Sequence, residues 1–169
     1  TGLPNRRAFD RQILLAMETF MRYKQPVALA IIDLDHFKRV NDAHGHPVGD
    51  AILKEVSSRL RNMLRKIDFL ARYGGEEFAG VFPNTTARGA FCVMERIRKS
   101  IARAPFEVDA LKIPITISIG ICEIEPQMEA ADWIEQADQA LYAAKRNGRN
   151  QVIVAGLHSN EPDVSSSAS

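Results

Sequence analysis

Two short acidic segments contain the residues whose types and spacing could support catalysis. Glu76 and Glu77 directly follow the pair Gly74-Gly75. Because glycine adopts φ > 0 without steric cost, this pair predicts a tight β-hairpin between the apolar runs that flank it. Upstream, Asp33-Leu34-Asp35 ends another apolar run. Mg²⁺ prefers carboxylate oxygens and substrate phosphates, so acidic groups at a strand end and on a hairpin predict a phosphoryl-transfer site. Taken alone, the hairpin pair fits a solvated acidic turn at least as well.

Polar residues elsewhere match the chemistry of a guanine nucleotide. Guanine presents N1–H and N2–H₂ donors and an O6 acceptor, which a carboxylate and an amide such as Asp50 and Asn41 could read together. Asp50 fits equally well as the N-cap of a helix that starts there. Lys145 and Arg149 could hold phosphates, yet their spacing alone favours cations that complement a helix dipole.

Composition and charge limit the class of protein. The chain has 169 residues, of which 46% are hydrophobic, enough for one sizeable core. A net charge of +1 without long Lys or Arg runs argues against a general nucleic-acid binder, and no apolar run reaches the roughly 20 residues that cross a bilayer.

We expect Cys92 and Cys122 to be small core residues of a reduced, cytoplasmic protein. Because the chain opens on Thr1, we expect a regulatory or sensor region upstream.

Hydrophobic periodicity predicts an α+β domain over residues 1–155 and a disordered tail over 156–169. Helices are predicted after Asn5, over 37–44, from Asp50 to Leu64, over 86–102 and over 131–146. Strands are predicted over 27–32, in a hairpin over 69–82, as a strand pair at 106–110 and 113–123, and over 151–155. This order suits a ferredoxin-like core, in which helices flank a central mixed sheet of about five strands around the hairpin.

Several ordered motifs closely resemble the GGDEF domain of bacterial diguanylate cyclases, which join two GTP molecules into cyclic di-GMP. The signature has the GGEEF form over residues 74–78, a form associated with active members of the family. The other motifs that carry the resemblance are TGLPNRR at 1–7, DLDHFKRVND at 33–42, GHPVGD at 45–50, TISIG at 116–120, AD at 137–138 and AAKRNGRN at 143–150.

The resemblance implies a palm-type nucleotide cyclase fold, similar to class III cyclases and polymerase palms, with the hairpin at the active site. It also implies two Mg²⁺ (or Mn²⁺) ions in each active site. The implied metal ligands are Asp33, the Leu34 carbonyl, Glu76 and Glu77, and the implied catalytic residues are Glu76, Glu77 and Lys38, with the division of duties between the glutamates left open. The implied GTP-binding residues are His36, Phe37, Lys38, Asn41, Asp50, Gly74, Gly75, Lys145 and Arg149, which overturns the preference for Lys145 and Arg149 as dipole partners.

Each domain of this family holds one GTP, so the resemblance implies catalysis by a homodimer with GTP as substrate. An RxxD pattern at Arg65 and Asp68, with Arg96 on the next predicted helix, resembles the family's inhibitory site, where cyclic di-GMP would act as product and inhibitor. Arginine pairs with phosphate and stacks on guanine, while aspartate accepts from the base edge. We expect a cytoplasmic domain, or the cytosolic part of a membrane-anchored bacterial protein, without nucleic-acid or membrane contact.

Two other functions compete with this interpretation. The first is a catalytically silent GGDEF-type module that binds GTP or cyclic di-GMP, and intact Asp33, Glu76, Glu77 and Lys145 argue against it. The second is an RNA-binding ferredoxin-like domain, which would need exposed aromatic residues on its central strands. The Ile-rich strand at 115–121 does not supply them.

Overall fold

The computed structural model describes residues 1–157. The elements in chain order are α1 Arg6–Tyr23, β1 Val27–Leu34, α2 Phe37–His44, α3 His46–Met63, β2 Phe69–Arg72, β3 Glu77–Pro83, α4 Ala87–Arg103, β4 Phe106–Val108, β5 Leu111–Ile113, β6 Ile117–Glu123, α5 Ala130–Arg146 and β7 Val152–Val154. The predicted disordered tail falls, from residue 158 onward, outside the described residues.

Five strands form the central sheet in the order β2-β3-β1-β6-β7. β1 is antiparallel to both β3 and β6, and β7 is parallel to β6, so the sheet is mixed. All eight residues of β1 are buried, as expected of a central strand covered on both faces. The predicted α+β class with a five-stranded mixed sheet is confirmed.

Alternate residues of β1 point to two separate cores, as the pleat requires. On one face Ala28, Ala30 and Ile32 pack with residues of α3 and α4. On the other face Leu29 and Ile31 pack with residues of α1 and α5. Odd-numbered residues of β1 therefore face α5, which decides the side of the sheet on which the next odd residue, Asp33, projects.

Helix α5 packs closely on β6 because Gly120 has no side chain. A Cβ at Gly120 would lie 2.1 Å from the Ala137 carbonyl oxygen and 2.2 Å from the Leu141 nitrogen. The indole N–H of Trp133 also donates to the Cys122 carbonyl oxygen at 2.9 Å. The position of α5, and of the basic residues at its C-terminal end, is thus set by backbone-to-backbone approach.

Two predictions about elements and one about a cysteine were wrong. Strand β4 pairs with the short strand β5, from Val108 opposite Leu111 to Phe106 opposite Ile113, and not with the longer strand β6, so β4 and β5 form a separate two-stranded sheet. The third helix begins at His46 instead of Asp50, because proline is compatible with the first turn of a helix, where its missing N–H costs nothing. Cys92 is exposed on α4, whereas Cys122 is buried as expected; both are free thiols, and burial raises the pKa of the Cys122 thiol to about 11.

Candidate active site

The sheet register places two candidate carboxylates opposite each other. Asp33 on β1 pairs with Glu77 on β3 and with Ser118 on β6. Directly opposed residues of antiparallel strands project from the same face with neighbouring Cβ atoms. The N–H of Leu34 donates to the Glu76 carbonyl oxygen at 3.3 Å, which ties the hairpin turn to the end of β1. The sequence-predicted acidic segments therefore meet at one end of the sheet.

Lys145 is the basic residue that contacts this acidic pair. Its Nζ donates to Asp33 Oδ2 at 2.9 Å, and Asp33 is only 6% exposed. Burial raises the pKa of the Asp33 carboxyl, the hydrogen bond and charge of Lys145 oppose this shift, and the charge of Glu77 adds to it. Burial also raises the pKa of Glu76, and the neighbouring Asp33 charge contributes. The site therefore concentrates negative charge that a single ammonium group offsets in part.

The donor set fits a hard divalent cation. Among residues 1–157 no three acidic, His or Cys side chains come close enough to enclose a metal ion by themselves. Mg²⁺ is usually bound by one or two carboxylates, with substrate phosphates and water completing its coordination. The opposed pair Asp33 and Glu77 supplies that number of carboxylates.

Arg72 holds the turn that carries the glutamates. Its guanidinium donates to the Gly75 carbonyl oxygen at 2.7 and 3.2 Å and to the Gly74 carbonyl oxygen at 3.3 Å. The prediction that the glycines supply φ > 0 was wrong, because neither adopts positive φ. The absence of a side chain at Gly74 instead leaves room for the Glu77 carboxylate, since a Cβ there would lie 2.7 Å from Glu77 Oε2, while the surroundings of Gly75 are open.

The candidate phosphate-binding residues lie at two helix ends. His36 adopts the left-handed region with φ 57°, and α2 begins directly after it at buried Phe37 and exposed Lys38. The free N–H groups at a helix N-terminus carry partial positive charge that suits phosphate. Arg149 is exposed beyond the C-terminal end of α5, also in the left-handed region, and its N–H donates to the Ala144 carbonyl oxygen at 2.9 Å.

The candidate guanine readers lie at the contact between α2 and α3. Asn41 Oδ1 is buried and has no hydrogen-bond partner among the described residues. Such unpaired groups are uncommon and often belong to functional positions. Asp50 is exposed in the first turns of α3, so the alternative that it caps this helix is excluded. Gly49, which sequence reasoning did not single out, packs against the Asn41 side chain and directly precedes Asp50 in the chain.

Replacing Gly49 by alanine is expected to weaken GTP binding about 10- to 100-fold, the effect of losing one or two hydrogen bonds to a base. A Cβ at Gly49 would lie 1.8 Å from Asn41 Oδ1, so the amide must leave its position. GTP affinity measured by calorimetry tests this. Gly89→Ala is the matched control, because its added Cβ meets only the Thr85 and Thr86 side chains, at 3.2 and 3.5 Å. Equal GTP affinity of Gly49→Ala and wild type would contradict the expectation.

Two of the predicted inhibitory residues, Arg65 and Asp68, form an ion pair with each other. Arg65 donates from its backbone N–H and its guanidinium to the buried Asp68 carboxylate, with a shortest distance of 2.7 Å, and also to Thr85 Oγ1 at 2.8 Å. Hydrogen bonding to Asp68 raises the pKa of Arg65. Arg96 reaches the same neighbourhood, where it donates to the Met63 carbonyl oxygen at 3.1 Å. Arg65 and Arg96 are both exposed, whereas the Asp68 oxygens are occupied by Arg65.

Asp35, the second acidic residue of the strand end, has a structural role that the sequence did not reveal. Its carboxylate accepts from Thr116 Oγ1 at 2.7 Å, Ser118 Oγ at 2.6 Å and the Asn150 N–H at 3.0 Å. These bonds join the end of β1 to β6 and to the segment after α5. The Asp35 carboxylate therefore accepts its hydrogen bonds from neutral donors, whereas the Asp33 carboxylate accepts one from the charged Lys145 ammonium group.

The structure also contains a large groove, and none of the candidate site residues lines it. A groove of about 1380 Å³ runs along the edge strand β7, between Phe91 on α4 and Ala140 on α5. The acidic end of the sheet is not part of this groove.

The structure defines an α+β domain with opposed carboxylates at the end of a mixed sheet, and comparison identifies its family. The chain matches the family described as "Diguanylate cyclase, GGDEF domain" over residues 1–151. It is 43% identical over 157 residues to diguanylate cyclase DgcP of Pseudomonas aeruginosa, covering 92% of this chain. The chain therefore belongs to the GGDEF domain family of diguanylate cyclases.

Solved structures agree with this assignment. The GGDEF domain of DgcB from Caulobacter crescentus, in complex with c-di-GMP, is similar with a TM-score of 0.89 and 37% identity, over 93% of this chain and 91% of that one. The active GGEEF domain of a diguanylate cyclase from Vibrio cholerae is similar with a TM-score of 0.85 and 34% identity, over 92% and 99% of the two chains.

The chain spans 23% of the length of DgcP. In the part of the chain that the structure describes, no helix combines the length and the apolar character needed to cross a bilayer.

Proposed function

We propose that this domain is a diguanylate cyclase that condenses two GTP molecules into cyclic di-GMP and releases two pyrophosphates. The observation that carries the proposal is the sheet register, which sets Asp33 opposite Glu77 with Lys145 on the Asp33 carboxylate. Family membership supports the cyclase class, and the GGEEF signature, which also names a similar domain described as active, supports a catalytic domain over a silent one.

The acidic end of the sheet is the proposed metal site. Asp33, Glu76 and Glu77, together with the Leu34 carbonyl, would hold two Mg²⁺ or Mn²⁺ ions. Such ions neutralise phosphate charge and lower the pKa of an attacking hydroxyl. The excess of negative charge between Asp33 and Glu77 supports this assignment, because like charges opposed across a ladder are unfavourable unless a cation offsets them.

The chain's own residues bind and orient GTP. Asp50 and Asn41 read the guanine edge, and the N-terminus of α2, with Lys38, Lys145 and Arg149, binds the triphosphate. One of the two carboxylates, of Glu76 or of Glu77, accepts the proton of the 3′-OH of one GTP as its oxygen attacks the α-phosphate of another and pyrophosphate leaves. A second attack of the same kind closes the ring and releases the second pyrophosphate.

Two domains must face each other for this reaction, because each site holds one GTP and the attacking hydroxyl comes from the other. A homodimer brings the two bound GTP molecules within reach of each other. We propose that a regulatory region outside this domain controls the pairing and that the domain works in the cytoplasm.

The test is incubation with GTP and Mg²⁺ at several protein concentrations, with nucleotides separated by chromatography. Cyclic di-GMP should form with a steeper than linear dependence on protein concentration, because the active species is a dimer. A Glu77→Ala variant should form none. If wild type binds GTP or cyclic di-GMP but forms no product even at concentrations at which it is dimeric, the domain is a silent binding module and the proposed activity is wrong.

Cyclic di-GMP is expected to inhibit the enzyme, and Arg65→Ala is expected to weaken this inhibition at least about tenfold, as loss of one bidentate phosphate contact implies. The exposed guanidinium of Arg65, beside Arg96, is the proposed product-binding group. Inhibition curves for wild type and variant provide the measurement. Lys66→Ala, which removes the adjacent exposed cation, is the control. An unchanged inhibition constant in Arg65→Ala would refute the site.

A further inference from the structure

Two consecutive residues after α5 have a backbone conformation that side chains rarely adopt. Arg149 has φ 63° and Asn150 has φ 46°, both in the left-handed region. Non-glycine residues there cost free energy and persist only where their surroundings hold them. Arg149 is also the residue proposed above to bind phosphate. What holds this pair is therefore relevant to substrate binding.

Contacts from two sides hold Asn150. On one side its N–H donates to Asp35 Oδ2 at 3.0 Å, and Asp35 is itself buried and bonded to Thr116 and Ser118 of the β6 region. On the other side, Arg98 Nη1 on α4 donates to the Asn150 carbonyl oxygen at 3.2 Å and to Asn150 Oδ1 at 2.8 Å. A third element thus reaches a residue adjacent to the proposed phosphate-binding arginine.

Arg98 is itself held in a fixed orientation. Its Nε and Nη2 donate to the two carboxylate oxygens of Glu95 at 2.8 and 2.6 Å, a two-pronged pair within one turn of α4. Its side chain is 14% exposed. A planar guanidinium fixed on one edge by a carboxylate presents its remaining N–H groups in a defined direction. Arg98 therefore reaches Asn150 as a rigid contact, whereas the exposed Lys99 beside it pairs loosely with the same Glu95 carboxylate, at 3.8 Å.

We propose that Arg98 is a positioning residue for substrate binding: through Asn150 it holds the left-handed pair 149–150 and so sets where Arg149 meets the triphosphate of GTP. This inference rests on the proposed function. Arg98 lies on α4 and acts through Asn150 rather than by contact with the reacting atoms. The role predicts an effect on GTP binding that depends on Arg149.

The first test compares Arg98→Met, which keeps a long apolar stem and removes the donors, with the control Lys99→Met on the same helix. Arg98→Met should raise the KM for GTP about tenfold while kcat changes less than about threefold, because uniform binding is lost. Arg98→Lys, which keeps one donor, should recover part of the affinity. In an Arg149→Ala background, Arg98→Met should add little, because the residue through which it acts is gone.

The second test needs no turnover. Hydrogen exchange of the Asn150 amide in the nucleotide-free protein should accelerate at least about tenfold in Arg98→Met and not in Lys99→Met, because Asn150 loses the contacts on one of its two sides. If wild type proves catalytically silent, this exchange and GTP binding by calorimetry still test the inference separately from the proposed function.

The inference is overturned by unchanged Asn150 exchange in Arg98→Met. It is also overturned if the loss of GTP affinity is as large in the Arg149→Ala background as in wild type, since Arg98 would then act through the fold in general.

Discussion

Replacing Glu77 by glutamine should lower the rate of cyclic di-GMP formation about a hundred- to a thousandfold, the effect of removing a charged group from a phosphoryl-transfer site. The folded domain should not lose stability. The hairpin turn is held by the backbone, with the Tyr73 and Gly74 N–H groups donating to the Glu77 carbonyl oxygen at 2.8 and 3.2 Å. The substitution also removes one of two like charges opposed across the ladder from Asp33, which should raise the free energy of unfolding by about 0.5 kcal/mol.

Both parts of this expectation are measurable on one preparation. Chromatography of nucleotides gives the rate, and urea unfolding without nucleotide or metal gives the stability. Glu107→Gln is the matched control, because Glu107 is an exposed strand glutamate in the separate β4–β5 sheet. Wild-type turnover in Glu77→Gln would exclude the carboxylate from catalysis. A marked loss of stability would show that Glu77 is structural, and the rate could then not be interpreted.

The largest expected effect on folding is that of Gly120→Ala, with a loss of about 3 kcal/mol or more in the free energy of unfolding. The added methyl group would meet the backbone of Ala137 and Leu141 at 2.1 and 2.2 Å. Backbone atoms cannot rotate away as a side chain can, so α5 must move off β6, and overpacking of this kind is costly. Because Lys145 projects from α5 onto Asp33, activity should fall even in the fraction that remains folded.

Thermal and urea unfolding of Gly120→Ala and of the control Gly89→Ala test this prediction. In Gly89→Ala the nearest atoms are side-chain atoms of Thr85 and Thr86, at 3.2 and 3.5 Å, and the change reduces backbone freedom in a helix. The control should therefore stay within about 1 kcal/mol of wild type. A Gly120→Ala domain as stable as the control would mean that the sheet and helix can separate without cost.

Local patterns in the sequence were sufficient for most of the elements. The N-cap at Asn5, which accepts from the Ala8 N–H at 3.0 Å, and the buried strand β1 follow from side-chain chemistry and periodicity within a few residues. The sequence-based predictions failed where the outcome depends on interactions between residues that are distant in the chain. The separate β4–β5 pair depends on which strands compete for the edge of the sheet, and the exposure of Cys92 depends on which helix face meets the core.

The sequence by itself determined the types of chemical group available and the resemblance to a family, because ordered motifs and acidic or basic residues can be identified without coordinates. Only the tertiary structure decided which of them meet. The opposition of Asp33 and Glu77 is a matter of strand register, and the contact between Asp33 and Lys145 depends on how closely α5 approaches Gly120. The support of Asn150 by Arg98 joins elements distant in the chain. Register and helix placement are set by packing of the whole core, which no local segment contains.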